Sequence, residues 1–222
     1  MNKSFLLRTY IDAHLCKLSY HNYDFYNFRK ISSKNVHCNL VSFKDNSKTI
    51  VIPGSKNFKD HRNNIKLYKY FDHNLNISFH SGFYFHSLEI LDVLQNNIDK
   101  NTTYNLTGHS LGAASSVICA LLLKHYGYNI NLINTFGQPA FTDIDGASFI
   151  DDNLCNYNRF VINSDFVCNY HTLYPFNKLN YHHTNNKFLF SNFNNNLLDN
   201  HKIDAYLYKI FYLIKLNEKT MR

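Results

Sequence analysis

The stretch NLTGHSLGAASSV, residues 105–117, constrains this chain more than any other, because it joins an apolar run to a helix-like run through glycines placed around a serine. Gly108, Ser110 and Gly112 satisfy the pattern G-x-S-x-G. A pattern so short arises by chance, so its flanks decide what it means. TYNL before it reads as a strand, and LGAASSVICALLLKHYG after it reads as a helix stopped by Gly127. A serine where a buried strand meets a helix N-terminus has the setting of a nucleophile elbow, a sharp turn that exposes the side-chain oxygen and needs small residues on both sides. Gly108 and Gly112 supply them, while Ala113 and Ala114 let the helix lie close to a sheet. The helix start also favours negative charge near Ser110 and leaves the Leu111 N–H available to a developing oxyanion. A glycine-rich helix start with a capping serine is the plainer alternative.

The remaining chain reads as strands alternating with helices. Residues 5–20 have helical apolar spacing through Leu6, Leu7, Tyr10, Ile11, Leu15 and Leu18, and VHCNLVSF and TIVIPG read as strands. SGFYFHSLEILDVLQNNIDK puts Phe85, Leu88, Leu91 and Leu94 on one helical face ending near Asn101. Strands INLINTFG and YNRFVINSD follow, separated by a variable stretch containing TDIDGASFI, and then come a strand KFLF and a final helix from about Asp199 to Lys215. This order predicts an α/β fold with a mainly parallel sheet covered by helices on both faces. No linker, repeat or long charge run divides the 222 residues, so one domain spanning residues 1–222 is expected.

Composition narrows the compartment and the partners. The start carries only three apolar residues before Arg8, too short for a secretory leader core, and no run is long enough to span a bilayer, so an intracellular location is expected. Five widely spaced cysteines, Cys16, Cys38, Cys119, Cys155 and Cys168, argue against a disulfide framework or a zinc site and for a reducing compartment. Asn105-Leu106-Thr107 matches a glycosylation sequon but would lie in the strand feeding the turn, where a glycan has no room. A formal charge of +7 implies attraction to something anionic. No recognition-helix, zinc-finger or aromatic-basic motif accompanies it, so no nucleic-acid partner is expected.

A serine hydroxyl needs a base to take its proton, and the base needs an acid to hold its tautomer. In α/β-hydrolases these follow in the order Ser, Asp, His. Asp165 ends the strand YNRFVINSD, at the strand edge where sites form, and His201 stands at the start of the last helix in DNHKIDAYL. Asp143, Asp145, Asp204, His171, His182 and His183 are rival candidates in a chain with 13 histidines.

Taken together, TIVIPGSKNFKD, FHSGFY, LTGHSLGAASS, NTFGQPAFTD, YNRFVINSDFV with Pro175 following, and HKIDAYL resemble the class 3, fungal-type lipase family of the α/β-hydrolase fold, in the family's order over residues 50–207. The resemblance implies Ser110 as nucleophile, Asp165 as orienting acid and His201 as general base, with the backbone N–H groups of Ser55 and Leu111 as the oxyanion hole and no metal or organic cofactor. The chain departs from the family where Pro53 replaces an arginine and where Asp60-His61 replaces Asp-Trp, and the signal peptide and disulfides of the secreted members are not expected in it. By resemblance the segment after Ser55 is the lid region. Over residues 56–71 it interleaves Lys56, Lys59, Arg62, Lys66 and Lys69 with aromatic residues, which suits an anionic membrane surface; a solvated polar loop is the alternative. The expected function is hydrolysis of carboxylic esters in lipids, acylglycerol or phospholipid. A short-chain carboxylesterase and an inactive hydrolase fold kept as a binding module are the alternatives.

Overall fold

A computed structural model describes residues 2–21, 23–24, 27–55, 68–172 and 176–220. Helix α1 (Lys3–Ser19) is followed by β1 (Phe28–Ser32), β2 (His37–Ser42) and β3 (Lys48–Ile52). Then come β4 (Lys69–Asp72), β5 (Ile77–His80), α2 (Ser81–Gln95), β6 (Thr103–His109), α3 (Leu111–His125) and β7 (Asn129–Phe136). The order closes with α4 (Ile144–Asn153), β8 (Tyr157–Ile162), the short α5 (Phe166–Asn169), β9 (Lys187–Phe190), α6 (Leu197–His201) and α7 (Ile203–Thr220).

Seven strands form one sheet in the order β1-β2-β3-β6-β7-β8-β9, while β4 and β5 pair separately. The pairs β1–β2 and β2–β3 are antiparallel, and every pair from β3 to β9 is parallel, with Ile50 beside Leu106, Leu106 beside Ile133, and Phe160 beside both Phe136 and Phe188. Parallel strands need crossover helices, and those helices cover both faces. One apolar core lies between the sheet and α2, α3 and α4, around Ile90, Leu94, Val117, Ile118 and Ile150. The other lies between the sheet and α1 and α7, around Leu6, Cys16, Phe136, Phe160, Tyr206 and Ile210. The α/β-hydrolase architecture follows from these two layers, and among the described residues no helix is long and apolar enough to cross a membrane.

Several local expectations change. Strand β1, the hairpin β4–β5 and helix α4 were not anticipated, the last because IDGASFIDDN carries few apolar residues; Asp143 starts it by accepting the Gly146 N–H at 2.9 Å. On α1, Leu7 and Ile11 face solvent, since the sheet side is shared with polar groups: Arg8 pairs with Asp12 and donates to Thr49, and Asp12 accepts from Asn134 at 2.7 Å. On α2, Phe85 is likewise exposed while Phe83, Tyr84 and Ile90 turn inward, and the helix stops at Gln95 rather than near Asn101. The final helix is two helices, broken at Lys202 in extended backbone (ψ 139°), so His201 ends the first instead of starting the second.

Candidate active site

The common edge of the parallel strands brings the predicted residues together. Ser110 joins β6 to α3 with φ 59° and ψ −125°, a left-handed setting that costs a residue with a Cβ on the order of 1–3 kcal/mol. Its neighbours explain why the turn closes only with glycine. A Cβ on Gly108 would lie 2.2 Å from the Gly112 carbonyl oxygen, and one on Gly112 would lie 2.1 Å from that of Ile52. The Ser110 N–H donates to the Phe136 carbonyl at 3.0 Å, tying the turn to β7.

Ser110 Oγ is 2.9 Å from His201 Nε2, and His201 Nδ1 is 2.9 Å from each oxygen of Asp165. Asp165 is fully buried just beyond β8 and accepts two further hydrogen bonds, from the Val167 N–H at 2.9 Å and the Tyr206 hydroxyl at 2.6 Å. Burial favours its protonated form, but the charge of His201 and the hydrogen bonds from His201 and Tyr206 outweigh burial and hold the carboxyl below its ordinary value. Gly137 (φ 59°) follows β7 against this pair: a Cβ there would lie 3.0 Å from Asp165 Oδ2 and 3.1 Å from His201 Nδ1.

A hollow of about 270 Å³ opens over the serine, lined by Tyr20, Ser55, His109, Ser110, His201 and the start of α7. Loop 53–55 reaches it, with Gly54 so close that a Cβ would lie 3.2 Å from Ser110 Cβ. The Ser55 hydroxyl is buried and has no hydrogen-bond partner among the described residues. Leu111 opens α3, in the first turn, whose N–H groups have no acceptor within the helix.

The rival candidates lie elsewhere. Asp143 caps α4, Asp145 is exposed in its first turn, and Asp204 pairs with Lys17 at 2.6 Å at the hollow's rim. His182 contacts Asn180 at 3.0 Å, His183 donates to the Cys168 carbonyl at 2.6 Å, and His171 packs edge-on to His183. Of the expected lid, residues 56–67 lie outside the described residues, as do Pro175 and the Asp60-His61 departure. Tyr68, Tyr70 and Phe71 are described and exposed, with Tyr70 stacked on Tyr84 at 4.7 Å.

Four residues at the site escaped sequence reasoning: Tyr20, His109, Gly137 and Tyr206. His109 and Gly137 sit inside motifs that had been singled out, and Tyr206 lies one helical turn after Lys202 in HKIDAYL. Tyr20, one of 17 tyrosines, carries no local signal at all.

Comparison with known proteins adds three findings. A family model described as lipase (class 3) matches residues 49–174, more than half of the chain. Among solved structures, a triacylglycerol lipase whose catalytic centre is a serine protease triad superposes with a TM-score of 0.70 at 18% identity, over 85% of this chain and 81% of that one. A lipase from Yarrowia lipolytica gives 0.70 at 17% identity over 84% and 80%, and the triacylglyceride lipase of Rhizomucor miehei gives 0.63 at 19% identity over 84% and 79%. No curated protein matched the chain.

Proposed function

The chain belongs to the class 3 lipase family, and from that premise we propose that residues 1–222 act as one domain hydrolysing carboxylic ester bonds of lipids, acylglycerol or phospholipid, through an acyl-enzyme on Ser110. The observation that carries this reading is the unbroken line of contacts from Ser110 Oγ through both nitrogens of His201 to a buried carboxylate, each at 2.9 Å.

The chemistry follows from that line. Asp165 accepts a hydrogen bond from the Nδ1–H of His201 and so keeps the proton on Nδ1, leaving Nε2 with its lone pair toward the serine. Ser110 Oγ bonds to the acyl carbon as its proton passes to Nε2, and the carbonyl electron pair moves onto oxygen. The N–H groups of Leu111 and Ser55 are the proposed donors to that oxyanion, with the unpartnered Ser55 hydroxyl close by. Collapse expels the alcohol, which takes the proton back from Nε2. Water then repeats the sequence on the acyl-serine ester and releases the fatty acid. An inactive module has no use for a serine held at φ 59° beside a histidine.

Contact with an anionic membrane surface through residues 56–71 belongs to the same proposal, supported by the net charge and by the exposed Tyr68, Tyr70 and Phe71. The test is fluorophosphonate labelling of the purified protein with and without anionic vesicles, the modified residue being mapped by peptide mass spectrometry. Labelling of Ser110, its loss in His201→Ala, and a rise with vesicles that salt abolishes are expected. An unlabelled Ser110 would overturn the enzymatic reading; vesicle- and salt-independent labelling would overturn the membrane contact.

A further inference from the structure

Tyr20 and His109 stand beside the reacting groups, and no step above uses them. Tyr20 caps the C-terminus of α1, and His109 is the last residue of β6, immediately before Ser110. The Tyr20 hydroxyl oxygen is 2.6 Å from His109 Nδ1, and His109 Nε2 is 2.7 Å from the main-chain carbonyl oxygen of His201. At the other end Gly54 of loop 53–55 packs against the Tyr20 oxygen. A Cβ at position 54 would lie 2.2 Å from that oxygen, so only glycine lets the loop come this close.

The protons in this chain can be placed without choice. A carbonyl only accepts, so His109 Nε2 carries the ring proton. Nδ1 therefore accepts, and the Tyr20 O–H must donate to it. Both bonds point the same way, and with the Gly54 contact they join loop 53–55 through Tyr20 and His109 to the main chain of His201. The arrangement needs a neutral ring, and burial, aided by the neighbouring His201, pushes His109 down to about 3.

His201 needs such an anchor. It ends a five-residue helix, too short to be stable alone, preceded by Asn194 to Asn196 and followed by extended Lys202. Asp165 holds its ring by Nδ1, and Asn200 holds the segment before it by accepting the Phe193 N–H at 2.7 Å and donating to Asn194 and Asn196. His109 holds the His201 carbonyl, and its ring also lies against the His201 ring at 4.8 Å.

We propose that Tyr20 and His109 are positioning residues, a hydrogen-bond relay that fixes the main chain of His201 relative to loop 53–55, so that the base and the Ser55 oxyanion donor keep one geometry about Ser110. The inference rests on the reading of Ser110 and His201 as the reacting pair. A misplacement of the base by about 1 Å costs about 100-fold in rate. That loss belongs to kcat, because the Ser110-to-His201 proton transfer occurs only in the reacting complex.

The test uses the full chain with His109→Asn, His109→Gln and Tyr20→Phe. The glutamine amide nitrogen reaches the place of Nε2 and keeps the donor to His201, whereas asparagine stops near Nδ1. On a soluble ester, His109→Asn should lose about 30- to 100-fold in kcat with KM little changed, and His109→Gln should recover most of it. Tyr20→Phe should lose about 3- to 10-fold, since His109 keeps its own bond to His201. Nitrogen-15 histidine NMR gives a readout independent of turnover. His109 should hold its proton on Nε2 from pH 5 to 9, and the His201 ring resonances should move in Tyr20→Phe. An Nδ1–H tautomer in the wild type, or His109→Gln no better than a folded His109→Asn, would overturn the relay. A wild type that neither turns over nor labels would sink the reading of Ser110, and the tautomer would still decide the relay.

Discussion

Asp165→Asn is the sharpest test of how the charge and hydrogen bonding around the base are arranged. Three donors converge on the two carboxylate oxygens: the Val167 N–H on Oδ1, the Tyr206 O–H on Oδ2, and the His201 Nδ1–H equidistant from both at 2.9 Å. An asparagine offers one acceptor oxygen and one NH₂. The Val167 N–H is fixed by the backbone and cannot turn away, so the amide oxygen takes the Oδ1 place. The NH₂ then occupies the Oδ2 place, where the Tyr206 hydroxyl can rotate to accept from it but an imidazole N–H cannot. His201 relieves the clash by carrying its proton on Nε2, which faces Ser110 Oγ at 2.9 Å and can then no longer accept the serine proton. The negative charge that stabilises the imidazolium is lost as well. In a serine protease the same exchange lowers kcat by about 10⁴, about 5.5 kcal/mol of transition-state stabilisation, and a loss of about 10³ to 10⁴ is expected here. The assay is steady-state hydrolysis of a p-nitrophenyl ester together with the second-order rate of fluorophosphonate labelling. A thermal melt shows that the variant is folded. A folded Asp165→Asn within tenfold of wild type in both rates would refute the tautomer argument.

The remaining expectations concern stability. Burial pushes His80 down to about 4 and His109 to about 3, and His183 lies well below its ordinary value. Between these values and the ordinary histidine value of about 6.5, the unfolded chain binds more protons than the folded one, so stability falls as pH falls, by up to about 1.4 kcal/mol per pH unit for each histidine. Asp165, held below its ordinary carboxylate value, contributes stability above about pH 4 and loses it only below that. The melting temperature should therefore be level near pH 7 to 8 and drop steeply from about 6.5 toward 4; equal melting temperatures at pH 7.5 and 5 would contradict the burial of these rings. Gly112→Ala should destabilise by about 1–3 kcal/mol or more, because the new Cβ would lie 2.1 Å and 2.6 Å from the carbonyl oxygens of Ile52 and Pro53. A melt unchanged from wild type would mean that the turn has room the structure does not show.

What could be read from the sequence is what local constraints write into it. The turn at Ser110 is legible because Gly108 and Gly112 are each demanded by backbone atoms a few ångströms away, and the α/β class is legible because parallel strands buried on both faces are continuous apolar runs. Asp165 is legible as a carboxylate at a strand end. His201 is not legible by its own segment, since the Asn-rich stretch before it gives no periodicity and the break at Lys202 hides within a helical pattern; family order alone pointed to it. Helical spacing misassigned Leu7 and Ile11 because periodicity cannot foresee that Arg8 and Asp12 bond to Thr49 and Asn134 beneath the sheet. Tyr20 and His109 escape for the same reason: their contacts join residues 89 and 92 apart.

The distribution of unfavourable features carries a further argument. Folding alone gains nothing from a serine at φ 59°, from a hydroxyl at Ser55 buried without a partner among the described residues, or from a carboxylate at Asp165 removed from water. Each costs free energy, about 1–3 kcal/mol for a strained backbone or an unpaired buried polar group. Single features of each kind occur elsewhere, as at Asn46 with φ 64°, at the unpartnered Asn39 amide and at the buried Asp12. Around the serine all three coincide: Ser110 and Ser55 line one hollow, and Asp165 lies behind it joined through His201. The stabilising contacts of Tyr20, His109 and Tyr206 gather around the same point. The coincidence of all three with the bonds that offset them, more than the five-residue motif, favours the proposed nucleophile over an ordinary serine at the start of a helix.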